Sequence, residues 1–438
     1  MKTKILFTVV VVSILSISST TKNLPTKDVY WIHGMGGDKT SLSEMDNYFI
    51  NRYRYINYRP EYSTSDGIYG SSRNLYSKLN SANASQKSIF IAHSMGGVNS
   101  RALLDEHPEY YGGIITLATP HNGAPVAANL DNGKFDEFSK GLNNKGLSGP
   151  ESEALLLTAG FIDPTGISII RVLVGSARLY LKDALGDLIN KGIRKQAMDA
   201  MGSNTTKNAL KPNSNDLQKL NRKSLSIPNI AIWGNEDYPT FTRFISSRKT
   251  KSDSEFVILI NKIRDASKAR MKWHEVHKWL NPFFAGAHKR LESDWRESYQ
   301  YWNGQFQNAS NDLIGANVVR YRTVYYDDYE CRPAPDKYGV YLNPDGSTSR
   351  GSLPAEDLCR LVRKSKQVPY NVTLPNDGLL PDDTQKAMPG CDLKIEARHC
   401  NHDEMKYDPE VQRILTKVFN GDYKAPEDEQ FFKMTKKY

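Results

Sequence analysis

The stretch Ile89-Phe90-Ile91-Ala92-His93-Ser94-Met95-Gly96-Gly97 sets the reading of the whole chain. Its apolar start predicts a buried strand. A sharp turn follows, with Ser94 at the apex and Gly96 two residues on, and Val98 to Leu104 continues as a helix. Small residues flank the serine because larger side chains would collide in so tight a turn. Such a turn lifts one hydroxyl out of the backbone and points it at a substrate. The pentapeptide alone is a common pattern, so its weight depends on what surrounds it.

Upstream, Asp28-Val29-Tyr30-Trp31-Ile32 predicts a second strand, which runs into His33-Gly34-Met35-Gly36-Gly37. Attack on an acyl carbon builds negative charge on the carbonyl oxygen, and backbone N–H donors must stand ready where that charge develops. A glycine-rich loop after an early strand supplies one donor and the residue after the nucleophile supplies the other. Those residues are Met35 and Met95, acting through their backbone N–H groups. A glycine-rich loop can also cradle phosphate, but no G-K-[ST] follows this one. Downstream, Gly113 to Ala118 predicts the next parallel strand, ending in Thr119-Pro120-His121-Asn122-Gly123, where His121 is expected to be structural or cleft-lining.

Two further segments lie near the C-terminus: Pro375-Asn376-Asp377-Gly378-Leu379-Leu380-Pro381 and Cys400-Asn401-His402-Asp403-Glu404. Together these motifs resemble the α/β-hydrolase superfamily and are similar to those of secreted bacterial triacylglycerol lipases and esterases. Ala92, standing where the usual elbow has glycine, is a variant found among them. The resemblance implies Ser94 as nucleophile, His402 as base and Asp377, in the N-D-G segment, as acid, in the chain order Ser, Asp, His. The strand Asn229 to Trp233 leads to Gly234-Asn235-Glu236-Asp237, and in compact α/β-hydrolases the acid follows such a strand directly, so Asp237 is the alternative acid. His399 lacks the preceding asparagine and is expected on the surface or in packing.

The implied fold is α/β: a mostly parallel central sheet with helices on both faces, plus large helical and loop insertions forming a cap or lid. Strands near 28–33, 54–58, 88–92 and 114–118 alternate with helices near 41–52, 70–82 and 95–106, as a parallel sheet requires. Residues 1–20, with Lys2 and Lys4 before the short apolar run Ile5 to Ile17, are read as a secretory signal, which implies a secreted or periplasmic protein. Residues 24–438 form the hydrolase domain, interrupted by a helical cap or lid at 126–225 and by an insertion at 240–372, helical and then loop-rich. Within the first insertion, Ile170, Val174, Ala177, Leu181, Ala184 and Leu188 recur at helical spacing, as a lid or a core-packed helix would show. In the second, Leu291, Trp295, Tyr299, Trp302 and Phe306 form a stripe expected in the core.

The four cysteines, Cys331, Cys359, Cys391 and Cys400, are an even set in an exported chain and favour disulfides Cys331–Cys359 and Cys391–Cys400, which close the shorter loops. No C-x-x-C pair supports a zinc site. Some related lipases hold calcium through acidic residues near the histidine, but here Asp403 follows His402 without the intervening residue. No metal and no cofactor is therefore expected. The net charge of +9 is dispersed, which argues against nucleic acid and is compatible with anionic surfaces. The expected activity is hydrolysis of carboxylic esters, lipid-like in character, with transient contact to a lipid interface. The same triad serves acyltransferases, phospholipases and thioesterases. A non-catalytic scaffold is disfavoured because no triad member is missing. Oligomeric state is not legible.

Overall fold

Six parallel strands in the order β10-β5-β4-β3-β1-β2 make the central sheet. The computed structural model describes residues 27–82, 88–110, 112–146, 203–236, 253–331, 340–342, 347–350, 359–423 and 431–437. The first four strands and the helices between them are β1 (Lys27–Ile32), α1 (Ser43–Ile50), β2 (Tyr55–Tyr58), α2 (Gly67–Asn80), β3 (Ile89–His93), α3 (Met95–Glu106) and β4 (Gly113–Leu117). Short helices follow: α4 (Pro125–Asn129), α5 (Lys134–Gly141), α6 (Asn204–Leu210) and α7 (Asn215–Asn221). After β5 (Asn229–Asn235) come α8 (Asp253–Leu280), α9 (Ala285–Gln300) and α10 (Phe306–Ile314). Then follow β6 (Asn317–Cys331), β7 (Val340–Leu342), β8 (Thr348–Arg350), β9 (Cys359–Thr373), α11 (Asp382–Gln385), β10 (Leu393–Arg398) and α12 (Pro409–Asn420). The expected signal at 1–20, the amphipathic stretch 170–188 and Asp237 lie outside the described residues.

The strands read as continuous apolar runs because both faces of the sheet are covered. Side chains alternate between the faces with period two. Val29, Trp31, Ile89, Ile91, Ile115 and Ile232 pack against Met45 and Phe49 of α1 and Ile414, Leu415 and Phe419 of α12. Tyr30, Ile32, Phe90, Ala92 and Ile114 face the other way, onto Leu75 and Leu79 of α2 and Leu103 of α3. The strand ends that carry Ser94 and the His33 loop therefore emerge together, at the carboxyl edge where open parallel sheets hold their ligands.

The second insertion has two parts. Helices α8 and α9 form an antiparallel hairpin, held by the Ser267 and Ser298 hydroxyls at 3.0 Å and by Lys278 Nζ on Glu292 at 2.6 Å. Of the stripe expected in the core, Trp295, Trp302 and Phe306 are buried, while Leu291 and Tyr299 are half-buried. Strands β6 and β9 then pair antiparallel from Asn317↔Thr373 to Cys331↔Cys359. A long regular antiparallel ribbon stands in the part of the insertion read from sequence as loop-rich. Alternation is hard to read in it because much of both faces is open to solvent, so neither is marked as the apolar one.

One disulfide expectation is corrected. Cys391 and Cys400 are both free thiols. They lie at opposite ends of β10, and an extended strand of that length separates them by roughly 20 Å, whereas a disulfide needs Cα atoms within about 7 Å. Cys400 is buried, with Sγ on the Asn401 carbonyl at 3.7 Å, and burial pushes its thiol well up from the usual range. Register places Cys331 opposite Cys359, so the backbone brings that second pair of positions together.

Candidate active site

Ser94 closes the β3–α3 turn at φ 52° and ψ −130°, a conformation that non-glycine residues seldom adopt. The surroundings hold it there. Its N–H donates to the Leu117 carbonyl at 2.8 Å, and its carbonyl accepts from the Gly97 N–H at 3.0 Å. A Cβ on Gly96 would lie 2.5 Å from the His33 carbonyl oxygen, and one on Gly34 would lie 2.8 Å from Ser94 Cβ. The elbow and the glycine loop are thus pressed backbone to backbone, which explains why both motifs carry glycine at those places.

The pressed geometry brings two candidate donors to the elbow. Met95 is the first residue of α3, so its N–H has no acceptor within the helix and lies at the positive end of the helix dipole. Met35 follows Gly34 directly, and its half-buried side chain packs with Met95 and Val98. The loop around it is stitched by the Gly36 N–H on Thr64 Oγ1 at 3.1 Å and the Gly37 N–H on the Gly34 carbonyl at 3.1 Å. Tyr62 supports the loop from below. Its hydroxyl donates to the His33 carbonyl at 2.7 Å, and its ring lies 4.4 Å from the His33 ring.

His402 Nε2 meets Ser94 Oγ at 2.9 Å, and its Nδ1 meets Asp377 Oδ2 at 2.8 Å. Asp377 is buried, and its other oxygen accepts from the Leu379 and Leu380 N–H groups at 3.0 and 2.7 Å. The His402 N–H donates to the Asp377 carbonyl at 2.9 Å, so backbone and side chain are both locked to the acid. The structure therefore brings Ser94, His402 and Asp377 into one hydrogen-bonded row. Such a row can pass the serine proton to the imidazole while the carboxylate balances the charge.

Both sequence candidates for the acid follow β5, one in the chain and the other in space. The Glu236 N–H, one residue past β5, donates to the Asn376 carbonyl at 2.9 Å. Gly234 lies against Asp377, where an added Cβ would stand 3.0 Å from Asp377 Cβ. Gln385 fixes the same junction by accepting from the Gly234 N–H at 2.9 Å and donating to the Leu380 carbonyl at 2.9 Å. The long insertion leaves the end of β5 and returns the chain to it, with Asp377 in the loop after β9. Asp237 itself lies outside the described residues.

The residue before His402 has a local task. Asn401 Oδ1 accepts from the Asp403 and Glu404 N–H groups, both at 2.9 Å, while Glu404 Oε2 accepts from the Asn401 N–H at 3.0 Å. This reciprocal cap closes the turn that presents the imidazole. His93 was not singled out from sequence, yet its Nε2 donates to the His402 carbonyl at 2.8 Å. Burial holds the His93 imidazole well below its usual value, with the nearby His402 acting in the same direction. Its adjacency to Ser94 was the available signal.

His121 is a packing residue. It is fully buried, with Nδ1 facing Arg101 Nη1 at 3.2 Å and Nε2 facing Thr116 Oγ1 at 3.1 Å. Arg101 carries on to the Leu220 carbonyl at 3.1 Å and Asn221 Oδ1 at 2.9 Å, tying α3 to the end of α7. Burial pushes the Arg101 guanidinium down to about 10 and holds His121 well below its usual value. His399 is exposed, on a left-handed turn at φ 58°, and is not part of the Ser94–His402–Asp377 row.

A family model described as a PGAP1-like alpha/beta domain matches residues 62–190. No curated protein matches the chain. Among solved structures, an extracellular α/β-hydrolase from a Paenibacillus species is 17% identical, with 48% of this chain and 77% of that one covered at a TM-score of 0.26. A hydrolase from Oleispira antarctica is 13% identical over 54% of this chain and 80% of that one, at 0.29. An esterase from Exiguobacterium antarcticum is 12% identical over 48% and 73%, at 0.28. At these identities and TM-scores the fold assignment rests on the strand order of the chain itself.

Proposed function

We propose that this member of the α/β-hydrolase superfamily is an exported serine hydrolase that cleaves carboxylic esters of lipid-like character. The observation that supports it best is the unbroken row Ser94 Oγ–His402 Nε2 at 2.9 Å and His402 Nδ1–Asp377 Oδ2 at 2.8 Å, set on the strained elbow. Ser94 Oγ attacks the acyl carbon as its proton passes to His402 Nε2. The oxyanion faces the Met35 and Met95 N–H groups. The alkoxide leaves with the proton from His402, giving an acyl-enzyme. Water then loses a proton to His402, attacks the same carbon and releases the acid, and Ser94 recovers its proton. Asp377 keeps the imidazole in the tautomer that accepts at Nε2.

The lipid-like character and export rest on the motif resemblance and on the basic-then-apolar start of the chain. The test is hydrolysis of p-nitrophenyl esters of increasing acyl length by the mature protein. Ser94→Ala is expected to abolish turnover, and Asp377→Asn to lower kcat by roughly 10⁴-fold with the fold retained. Turnover that survives in Ser94→Ala would overturn the reading. Full activity in Asp377→Asn beside loss in Asp237→Asn would move the acid to Asp237. A long-chain optimum identifies a lipase, and a short-chain optimum an esterase.

A further inference from the structure

The hairpin of α8 and α9 ends in an apolar tip. Trp279 is 81% exposed, Leu280 71%, Phe283 95% and Phe284 61%. Trp273 and Val276 extend the exposed apolar surface back along α8. Large side chains gathered at such exposure on one projection normally mark a contact surface. The tip is carried on firm support. Trp302, just past α9, donates from Nε1 to the Gly146 carbonyl at 3.1 Å, and Ser298 Oγ to the same carbonyl at 3.2 Å. From that anchor the sixteen-residue α9 reaches about 24 Å to the turn.

We infer that this tip docks the protein on an anionic phospholipid bilayer. Two features select that occupant. The apolar residues sit on the turn of a hairpin, where a protruding end fits the deformable interior of a bilayer, with aromatic rings at headgroup level. They are also collared by positive charge. Residues 268–292 carry six Lys and Arg against two Glu, and Lys268, Arg270, Lys272, Lys289 and Arg290 are all exposed. Of the two acids, Glu292 is already paired with Lys278 and Arg296. His274, His277 and His288 lie in the same stretch, with Nδ1 of His274 and His288 3.0 Å apart. The docking is interfacial, with the apolar turn entering the headgroup region and the charged flanks staying in water.

The test is co-sedimentation of the mature Ser94→Ala protein with phosphatidylcholine vesicles, with and without phosphatidylglycerol. The serine variant keeps the vesicles from being consumed, so binding succeeds or fails independently of ester hydrolysis. Binding is expected on the anionic vesicles, weaker on neutral ones and reduced by salt. It is accompanied by a blue shift of tryptophan fluorescence. Adding Phe283→Ser with Phe284→Ser is expected to weaken binding roughly 100-fold. Lys289→Gln with Arg290→Gln is expected to weaken it roughly 30-fold on anionic vesicles and little on neutral ones. In a Ser94 background both pairs should hydrolyse a soluble ester as the parent does, because the tip lies outside the site. Absence of binding, or binding unmoved by the phenylalanine changes, would overturn the inference. So would a dimer that those changes dissolve without any lipid binding, since the tip would then join two copies of the chain.

Discussion

Ser94 is held in a left-handed conformation by contacts from three separate places: Leu117 on the next strand, Gly34 on the earlier loop and Gly97 within the following helix. Each contact needs a small neighbour. Gly96→Ala would drive a Cβ to 2.5 Å from the His33 carbonyl, and relieving such overpacking costs about 1–3 kcal/mol. The variant is expected to show a lower thermal midpoint and lower activity together, because the displaced backbone carries Met35. A variant with the parent's midpoint and turnover would mean that the two loops are not so tightly pressed. The small residues of the elbow were legible in sequence, since a tight turn excludes side chains locally. The role of His93 was not, because its partner is a backbone carbonyl more than three hundred residues away.

The turn that presents His402 is a short capped element, and the cap explains the N-H pair seen in sequence. Asn401→Ala removes the acceptor for two N–H groups, and loss of such a cap costs about 1 kcal/mol. The expected result is a modest fall in unfolding midpoint with a larger fall in kcat, as the imidazole loses its fixed place beside Ser94. Equal activity in Asn401→Ala would show that the bonds to Asp377 are sufficient to hold the loop. Other elements were harder to read. Strand β10 alternates Leu393, Ile395 and Ala397 with Lys394, Glu396 and Arg398 at the sheet edge, where charges are common and the apolar signal is weak. The β6–β9 ribbon shows only a weak in–out pattern, because one face is exposed and the other, with Val318, Val324, Val362, Val368 and Val372, is at most half-buried.

Across the molecule, two buried histidines tie stability to pH. His93 and His121 are kept neutral in the folded chain by burial, each well below the ordinary value of 6.5. The unfolded chain takes up those protons as pH falls through that value, so acid favours unfolding. The contribution is complete above about pH 6.5 and is lost progressively below it. The urea midpoint is expected to drop between about pH 7.5 and pH 5, and His121→Gln should lessen that drop while lowering the midpoint at neutral pH. A midpoint that does not move with pH would contradict the burial of both rings. The C-terminal segment closes the same core. Phe432 and Met434 pack with α1 and α12, and the Met434 N–H donates to the Phe419 carbonyl at 2.8 Å.

Local order was enough to read the first four strands, the helices between them, the strained turn at Ser94 and the glycine loop beside it. Those features follow from side-chain size, apolar period and backbone sterics acting over a few residues. Distance in the chain concealed the rest. The N-D-G motif favours Asp377 over Asp237 only through resemblance, and the return of Asp377 to the end of β5 follows from how the long insertion packs. Cys391 and Cys400 look like neighbours in sequence, and the extended strand between them carries them apart. The α8–α9 tip reads as a helical turn with some aromatics, and only the folded hairpin shows that Phe283 and Trp279 stay in solvent while Trp295, Trp302 and Phe306 pack inside. Sequence reports what a residue prefers over a turn or a strand; which partner it meets is settled when distant segments compete for the same space.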